Sequence, residues 1–137
     1  TLCVCAEAVG AMEVLLGKTV EYTKTRRQFG VAIASFQALQ HRMADMFIEL
    51  EQSRSILMMA LMAAEAGEEL ARPVSAAKSR IGRAARRIGQ EAVQLHGGIG
   101  VTDELDVGHY FKRLTAIEAL FGNTDFHLRR FGEAHDR

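Results

Sequence analysis

Pro73-Val74-Ser75-Ala76-Ala77-Lys78-Ser79-Arg80-Ile81-Gly82-Arg83-Ala84-Ala85-Arg86-Arg87-Ile88-Gly89-Gln90-Glu91-Ala92-Val93-Gln94-Leu95 carries Val74, Ala77, Ile81, Ala84, Ile88, Ala92 and Leu95 at spacings of three and four. That recurrence draws one apolar stripe along a single helix. The stripe is mostly small, and Ala76, Gly82, Ala85 and Gly89 add further small positions, so neighbouring helices can approach closely. Pro73 suits a first helical turn, where its missing N–H costs nothing. Gly97-Gly98-Ile99-Gly100 then stops the helix.

Three further helices extend outward from this one. Upstream, about Leu2 to Arg26 places Leu2, Val9, Met12, Leu16, Val20 and Thr23 on one broad face. A second helix starts after Ser35, a plausible N-cap, with Phe36, Leu39, Met43, Phe47, Leu50, Leu57 and Leu61 in phase. It stops near Gly67, which tolerates positive φ. Downstream, about Asp106 to Leu120 turns Val107, Tyr110, Phe111, Leu114 and Ile117 inward. Gly122-Asn123-Thr124 interrupts the pattern, and a final short helix carries Phe126 and Phe131. Short connections between four helices predict an all-α, up-down four-helix bundle forming one domain over residues 1–137.

Composition agrees. Of 137 residues, 48% are hydrophobic, with one Pro and no Trp. Plentiful Ala, Leu, Met and Gln favour helix over strand. The 17 basic and 17 acidic residues balance, so no electrostatic footprint for nucleic acid is present. No apolar run approaches the ~20 residues of a spanning helix, and no membrane association is expected. Cys3 and Cys5 read as two small buried side chains in a reducing cytoplasm, and no metal-ligand spacing accompanies them. The chain opens inside a helical pattern without an initiator Met or signal peptide, which leads to the expectation that it forms part of a longer subunit.

Two connections have too specific a chemistry for plain turns. The first runs Arg26-Arg27-Gln28-Phe29-Gly30-Val31-Ala32-Ile33-Ala34-Ser35-Phe36-Gln37. Arg26 offers a planar fork of donors suited to phosphate, Phe29 a stacking face, and Gln37 an amide. Adjacent cations also simply complement a helix C-terminus. The second runs Gln94-Leu95-His96-Gly97-Gly98-Ile99-Gly100, where glycines allow a ligand or another backbone to approach. It also reads as a glycine stop with a tight turn, and His96 as a packed residue. It is neither a dinucleotide fingerprint nor a Walker loop. No nucleophile constellation occurs.

Together these segments resemble the C-terminal domain of acyl-CoA dehydrogenases over essentially the whole chain. The resemblance rests on Tyr22-x-x-x-Arg26-x-Gln28-Phe29-Gly30, Ile33-x-x-Phe36-Gln37-x-x-Gln40, Ala44-Asp45-Met46, Ala76-Ala77-Lys78, Gln94-x-x-Gly97-Gly98-x-Gly100, Lys112-Arg113 and Phe121-Gly122-Asn123-Thr124. Cys5 to Met12 and His109 to Leu114 further resemble small subunits of pimeloyl-CoA dehydrogenases.

The resemblance implies an FAD-dependent α,β-desaturation of an acyl-CoA, pimeloyl-CoA or a similar thioester. Electrons would pass to electron-transfer flavoprotein, and the enzyme would be a cytoplasmic dimer or tetramer, homomeric or heteromeric. Residues matching Arg26, Gln28, Phe29, Gln37, Gln94, Gly97 and Gly98 would contact the adenosine-diphosphate part of a flavin held mainly by a neighbouring subunit, and Thr124 would join the cofactor-binding set. The bundle alone would be inactive. One departure concerns the base. Gly122 stands where many members carry the catalytic Glu. The carboxylate would then lie immediately before Thr1, or a partner subunit would supply it, or Glu118, one helical turn earlier, would substitute. Thr1 itself falls where members usually carry Arg.

Overall fold

The computed structural model describes residues 1–102 and 104–134. Helix α1 spans Leu2–Thr25 and is followed by a two-stranded hairpin, β1 Arg27–Gln28 and β2 Val31–Ala32. A 3-10 turn, Ile33–Ser35, leads into α2, Gln37–Glu65. Then come α3, Ala71–His96, a second 3-10 turn, Gly97–Val101, and α4, Val107–Ala119, with α5, Thr124–Glu133, at the end.

Side-chain pairs between helices fix the up-down order. Glu13 of α1 meets Arg54 of α2 at 2.6 Å, while Thr23 reaches Met43. Glu49 and Asp45 of α2 pair with Arg87 of α3, and Arg42 pairs with Glu91. Glu7 and Lys18 of α1 meet Arg113 and Asp106 of the fourth strut. In each pairing one residue number rises as the other falls, so successive helices run antiparallel. The fourth strut is broken, α4 handing over to α5.

Helix α3 sits in the middle and packs on α1, α2, α4 and α5. Its 26 residues span about 39 Å. The predicted stripe faces the core: Ala77, Ala84, Ile88 and Ala92 are fully buried, and Ile81 and Leu95 nearly so. Small positions do what close packing requires. A Cβ on Gly89 would stand 2.9 Å from the Phe111 ring, and one on Gly82 would stand 2.7 Å from Thr124 Oγ1. Met12 and Leu15 of α1, Met46 and Leu50 of α2, and Leu114 of α4 fill the rest. Each such side chain contributes about 1.5–3 kcal/mol by burial.

Several local expectations are corrected. Ser35 does not cap α2; its Oγ donates to Ala32 O within the 3-10 turn, and Phe36 precedes the helix with no side-chain cap. Helix α3 opens at Ala71, two residues before Pro73, which still lies in the first turn, where N–H groups have no intrahelical partner to lose. On α2 the buried face is Met46, Leu50, Ser53, Leu57, Ala60 and Ala63, whereas Phe47 and Leu61 are 53% and 39% exposed. The helix carries a second apolar stripe, and the sequence periodicity mixed the two. On α5, Thr124 and His127 face inward, and Phe126 is exposed. Cys5 is buried but Cys3 is exposed. Gly67 ends α2 as expected, at φ 70, with its N–H bonded to Ala64 O and that of Glu68 to Ala63 O, the Schellman pattern. Among the described residues, no helix is long and apolar enough to cross a membrane.

Candidate functional site

The ends of α1 and α3 meet, and there the two unusual connections come together. Tyr22, Arg26, Gln28, Ile33, Gln94 and His96 line an open recess of about 340 Å³ together with Gly97 and Gly98. Of the two adjacent cations, Arg27 is committed to the chain: its Nη2 donates to Gly30 O at 2.8 Å. The Arg26 side chain is exposed and has no hydrogen-bond or ion-pair partner among the described residues. Its backbone instead closes α1, with N–H to Tyr22 O and C=O accepting from Ile33 N. A guanidinium held over a recess is a ready anion site.

Gly97 has φ 66, a conformation L-residues rarely adopt, and a Cβ on either Gly97 or Gly98 would meet no protein atom within 4 Å. The space above these two backbones is therefore left open by the chain itself. Gly100 is different: a Cβ there would press on His96 Cβ and Val93 O, both at 2.9 Å.

The hairpin between Arg26 and Ile33 turns through Phe29 and Gly30, at φ 53 and 81, between the paired residues Gln28 and Val31. Two residues with positive φ make a type I′ turn. Aromatic residues are poor at such positions, and the strain is of order 1–3 kcal/mol. The result is a Phe29 ring 91% exposed at the tip, set edge-on to Phe36 at 6.2 Å between centroids. Gln37, exposed at the start of α2, flanks this corner and does not line the recess.

Thr124 lies elsewhere. It packs on Gly82, twelve residues before Gln94 on α3 and so roughly 18 Å away along the axis. Its N–H donates to Glu118 Oε1 at 3.0 Å. Its Oγ1 is buried without a hydrogen bond, although the hydroxyl's proximity still favours the ionised Glu118.

Around it, the turn between α4 and α5 forms a second structured locus. Phe121 and Gly122 both have positive φ, 59 and 96. Lys78, 1% exposed, donates from Nζ to Glu118 O and Gly122 O. His127 is equally buried; Nε2 lies 2.9 Å from Phe121 O and Nδ1 lies 3.2 Å from Ser75 Oγ. A carbonyl only accepts, so the proton is on Nε2 and Ser75 donates to Nδ1. Burial pushes the His127 imidazole below its ordinary range, against the opposing pull of the Phe121 carbonyl. Burial likewise lowers the Lys78 ammonium.

Glu118 is half-turned inward. Burial pushes its carboxyl up, but the Thr124 N–H, Arg86 and Lys78 outweigh this and hold it below the usual range. A carboxylate kept ionised by an amide it caps is a poor proton acceptor. At Gly122, a Cβ would overlap Phe126 Cδ1 and lie 3.1 Å from His127 Nε2.

His96 is packed, as the glycine-stop reading expects; no pattern in the sequence marks the contacts of Lys78, Ser75 or His127. One signal was readable for Lys78. It stands beside Ala77 and one turn before Gly82, on the flank of the small-residue stripe, where a charge must be buried.

Known proteins share this chain's sequence and fold. Residues 2–135 match the family described as acyl-CoA dehydrogenase, C-terminal domain. The acyl-CoA dehydrogenase IpdE2 of Mycolicibacterium smegmatis is 40% identical over 133 residues, spanning 94% of this chain and 40% of that relative. The ChsE4-ChsE5 complex from Mycobacterium tuberculosis superposes with a TM-score of 0.94 at 32% identity, over 99% of this chain and 37% of that one. An FAD complex of PigA superposes with a TM-score of 0.91 at 30% identity, over 98% of this chain and 35% of that one. The chain thus spans 40% or less of the length of these relatives. On sequence and fold together, the chain belongs to the acyl-CoA dehydrogenase C-terminal domain family.

Proposed function

We propose that this bundle clamps the adenosine-diphosphate half of an FAD in an acyl-CoA dehydrogenase that desaturates an acyl-CoA between its α and β carbons. One observation carries the reading. Arg26, unpaired among the described residues, shares a recess with Gln28, Gln94, Gly97 and Gly98, which supply a cation for pyrophosphate, amides for polar edges, and backbone that a ligand can approach. Phe29 and Gln37 flank the same corner and would cover the bound group. A flavin held there would supply the acceptor for the hydride that leaves the β-carbon. An FAD-bound relative supports the choice of cofactor. Thr124 has its hydroxyl buried and its amide engaged, and it takes no part in this recess.

The test is Arg26→Ala in the enzyme that contains this chain. Flavin content after gel filtration should fall severalfold, and unchanged content would refute the clamp.

A partner-subunit role is the second reading, and Gly122 favours it. The position offers no carboxylate, Phe126 fills the space beside it, and Glu118 is engaged as a cap. A base would then come from before Thr1 or from another subunit, and the ChsE4-ChsE5 complex is a relative built from two named chains. Anaerobic addition of acyl-CoA separates the two: bleaching of the flavin by the homomeric protein places a base in the same polypeptide, whereas bleaching only after a partner is added assigns it to the partner. Electron-transfer flavoprotein as acceptor and pimeloyl-CoA as substrate rest on the family resemblance.

Assembly has its own support. Phe47, Ile48, Met58, Met59, Leu61 and Met62 make an exposed apolar face on α2, of the kind subunit contacts cover. Light scattering across a wide concentration range should find dimers or tetramers.

A further inference from the structure

His96 closes α3 and is only 4% exposed. Its Nδ1 lies 2.8 Å from Ala92 O. Because that carbonyl can only accept, Nδ1 carries the proton, and in the neutral ring Nε2 is a bare acceptor. The ring cannot turn away. Tyr22 stacks on it with centroids 4.4 Å apart and planes at 26°, and Gly100 packs so closely that a Cβ there would stand 2.9 Å from His96 Cβ. Nε2 has no hydrogen-bond partner among the described residues, and His96 is one of the residues that line the recess with Arg26, Gln28 and Gln94.

Thr124 Oγ1 alone is fully enclosed without a partner among the described residues. Nε2 is therefore the one corner of this packed ring that a donor from outside the chain can reach, and an acceptor so placed is answered by water or by a ligand. Its fixed tautomer and orientation make it specific: it accepts from an N–H or O–H and repels a phosphate oxygen. Arg26 makes the opposite demand. A ligand satisfying both must carry an anion and, beside it, a hydrogen-bond donor. Nucleotides do, through the ribose hydroxyls and the adenine amine.

We propose that His96 is a binding residue of this recess, whose Nε2 receives an N–H or O–H donor from the adenosine half of the dinucleotide. The inference rests on the clamp reading above and adds to it a polarity: the recess selects an adenosine that donates at this point.

The experiment measures FAD dissociation constants of the enzyme that contains this chain, for the wild type, His96→Phe, His96→Gln and Arg26→Ala. Phe keeps the stack on Tyr22 and deletes the acceptor; Gln places an amide oxygen near the position of Nε2. Binding should weaken about tenfold in His96→Phe and largely recover in His96→Gln. FAD analogues carrying hypoxanthine for adenine, or 2′-deoxyribose for the adenosine ribose, supply a second readout. One of them should bind the wild type about tenfold less well than FAD, and the same as FAD in His96→Phe. If Arg26→Ala loses flavin while His96→Phe does not, the acceptor role is overturned and the clamp stands. If neither variant loses flavin, both fall. Equal losses in His96→Phe and His96→Gln with analogue discrimination intact would reduce His96 to packing and overturn the proposal. Should the Phe variant not fold, His96→Gln against His96→Leu repeats the comparison.

Discussion

Lys78 Nζ donates to the carbonyl oxygens of Glu118 and Gly122, at 2.9 and 2.7 Å, so one buried ammonium on α3 holds both ends of the turn that joins α4 to α5. Hydrogen bonds from a charged donor are worth about 1.5–3 kcal/mol each, offset in part by the desolvation of the ammonium. In Lys78→Met the desolvation cost disappears but two carbonyls lose their partner. The net expectation is a loss of about 1–3 kcal/mol in denaturant unfolding. A midpoint equal to the wild type's would mean that solvent replaces the ammonium without cost.

The same turn decides whether a base can be restored. Gly122→Glu should not create one. At φ 96 an L-residue is strained, and the new Cβ would overlap the Phe126 ring. Together these should destabilise by about 2–4 kcal/mol. Adding Phe126→Ala relieves only the overlap, so the double variant should recover part of the stability and still bleach its flavin with acyl-CoA no faster than the wild type does. Bleaching by the single variant faster than by the wild type would show that the turn relaxes freely and that Gly122 is simply a deleted carboxylate.

How far the sequence carried depends on what each residue's role rests on. The α3 stripe was legible because Ile81, Ile88 and Leu95 repeat a period that only a helix satisfies. The recess was partly legible through Arg26 and Gln94, whose side chains advertise their chemistry. His96 was not, because its importance comes from the Ala92 carbonyl and the Tyr22 ring, and no local pattern encodes that pairing. Phe47 was misassigned for a related reason. On a helix with two apolar stripes, such as Met46-Leu50-Leu57 and Phe47-Met58-Met62 on α2, periodicity cannot say which stripe faces the core and which faces another molecule. Ser35 followed cap statistics, but a 3-10 turn took its hydroxyl first.

His127 gives the fold a pH dependence whose sign follows from burial. Unfolded, the imidazole takes up a proton near its ordinary value of 6.5; folded, its proton affinity is lowered. Between those two values the unfolded chain binds the extra proton, so stability is full above about pH 6.5 and is lost as pH falls below it. Glu118, held below its ordinary 4.5, adds a separate loss that begins only at about that lower pH. His127→Gln can still donate to Phe121 O and does not titrate. Urea midpoints measured from about pH 8 down to about pH 5 should decline for the wild type and stay flatter for the variant. Equal slopes would assign the decline to another group.

Phe29 sets stability against function. Its φ of 53 at the first turn position suits Asn far better than an aromatic ring, since Asn-Gly is the preferred type I′ pair. Phe29→Asn removes a 91% exposed ring, so almost no burial is forfeited, and relief of strain should raise stability by about 1 kcal/mol. If the ring is held at the hairpin tip to cover the bound adenosine diphosphate, the same change should weaken flavin retention severalfold. A variant both more stable and fully flavin-loaded would remove Phe29 from the clamp. A variant no more stable would show instead that the Phe29–Phe36 edge contact, at 6.2 Å, offsets the backbone cost and that the tip conformation is maintained by packing.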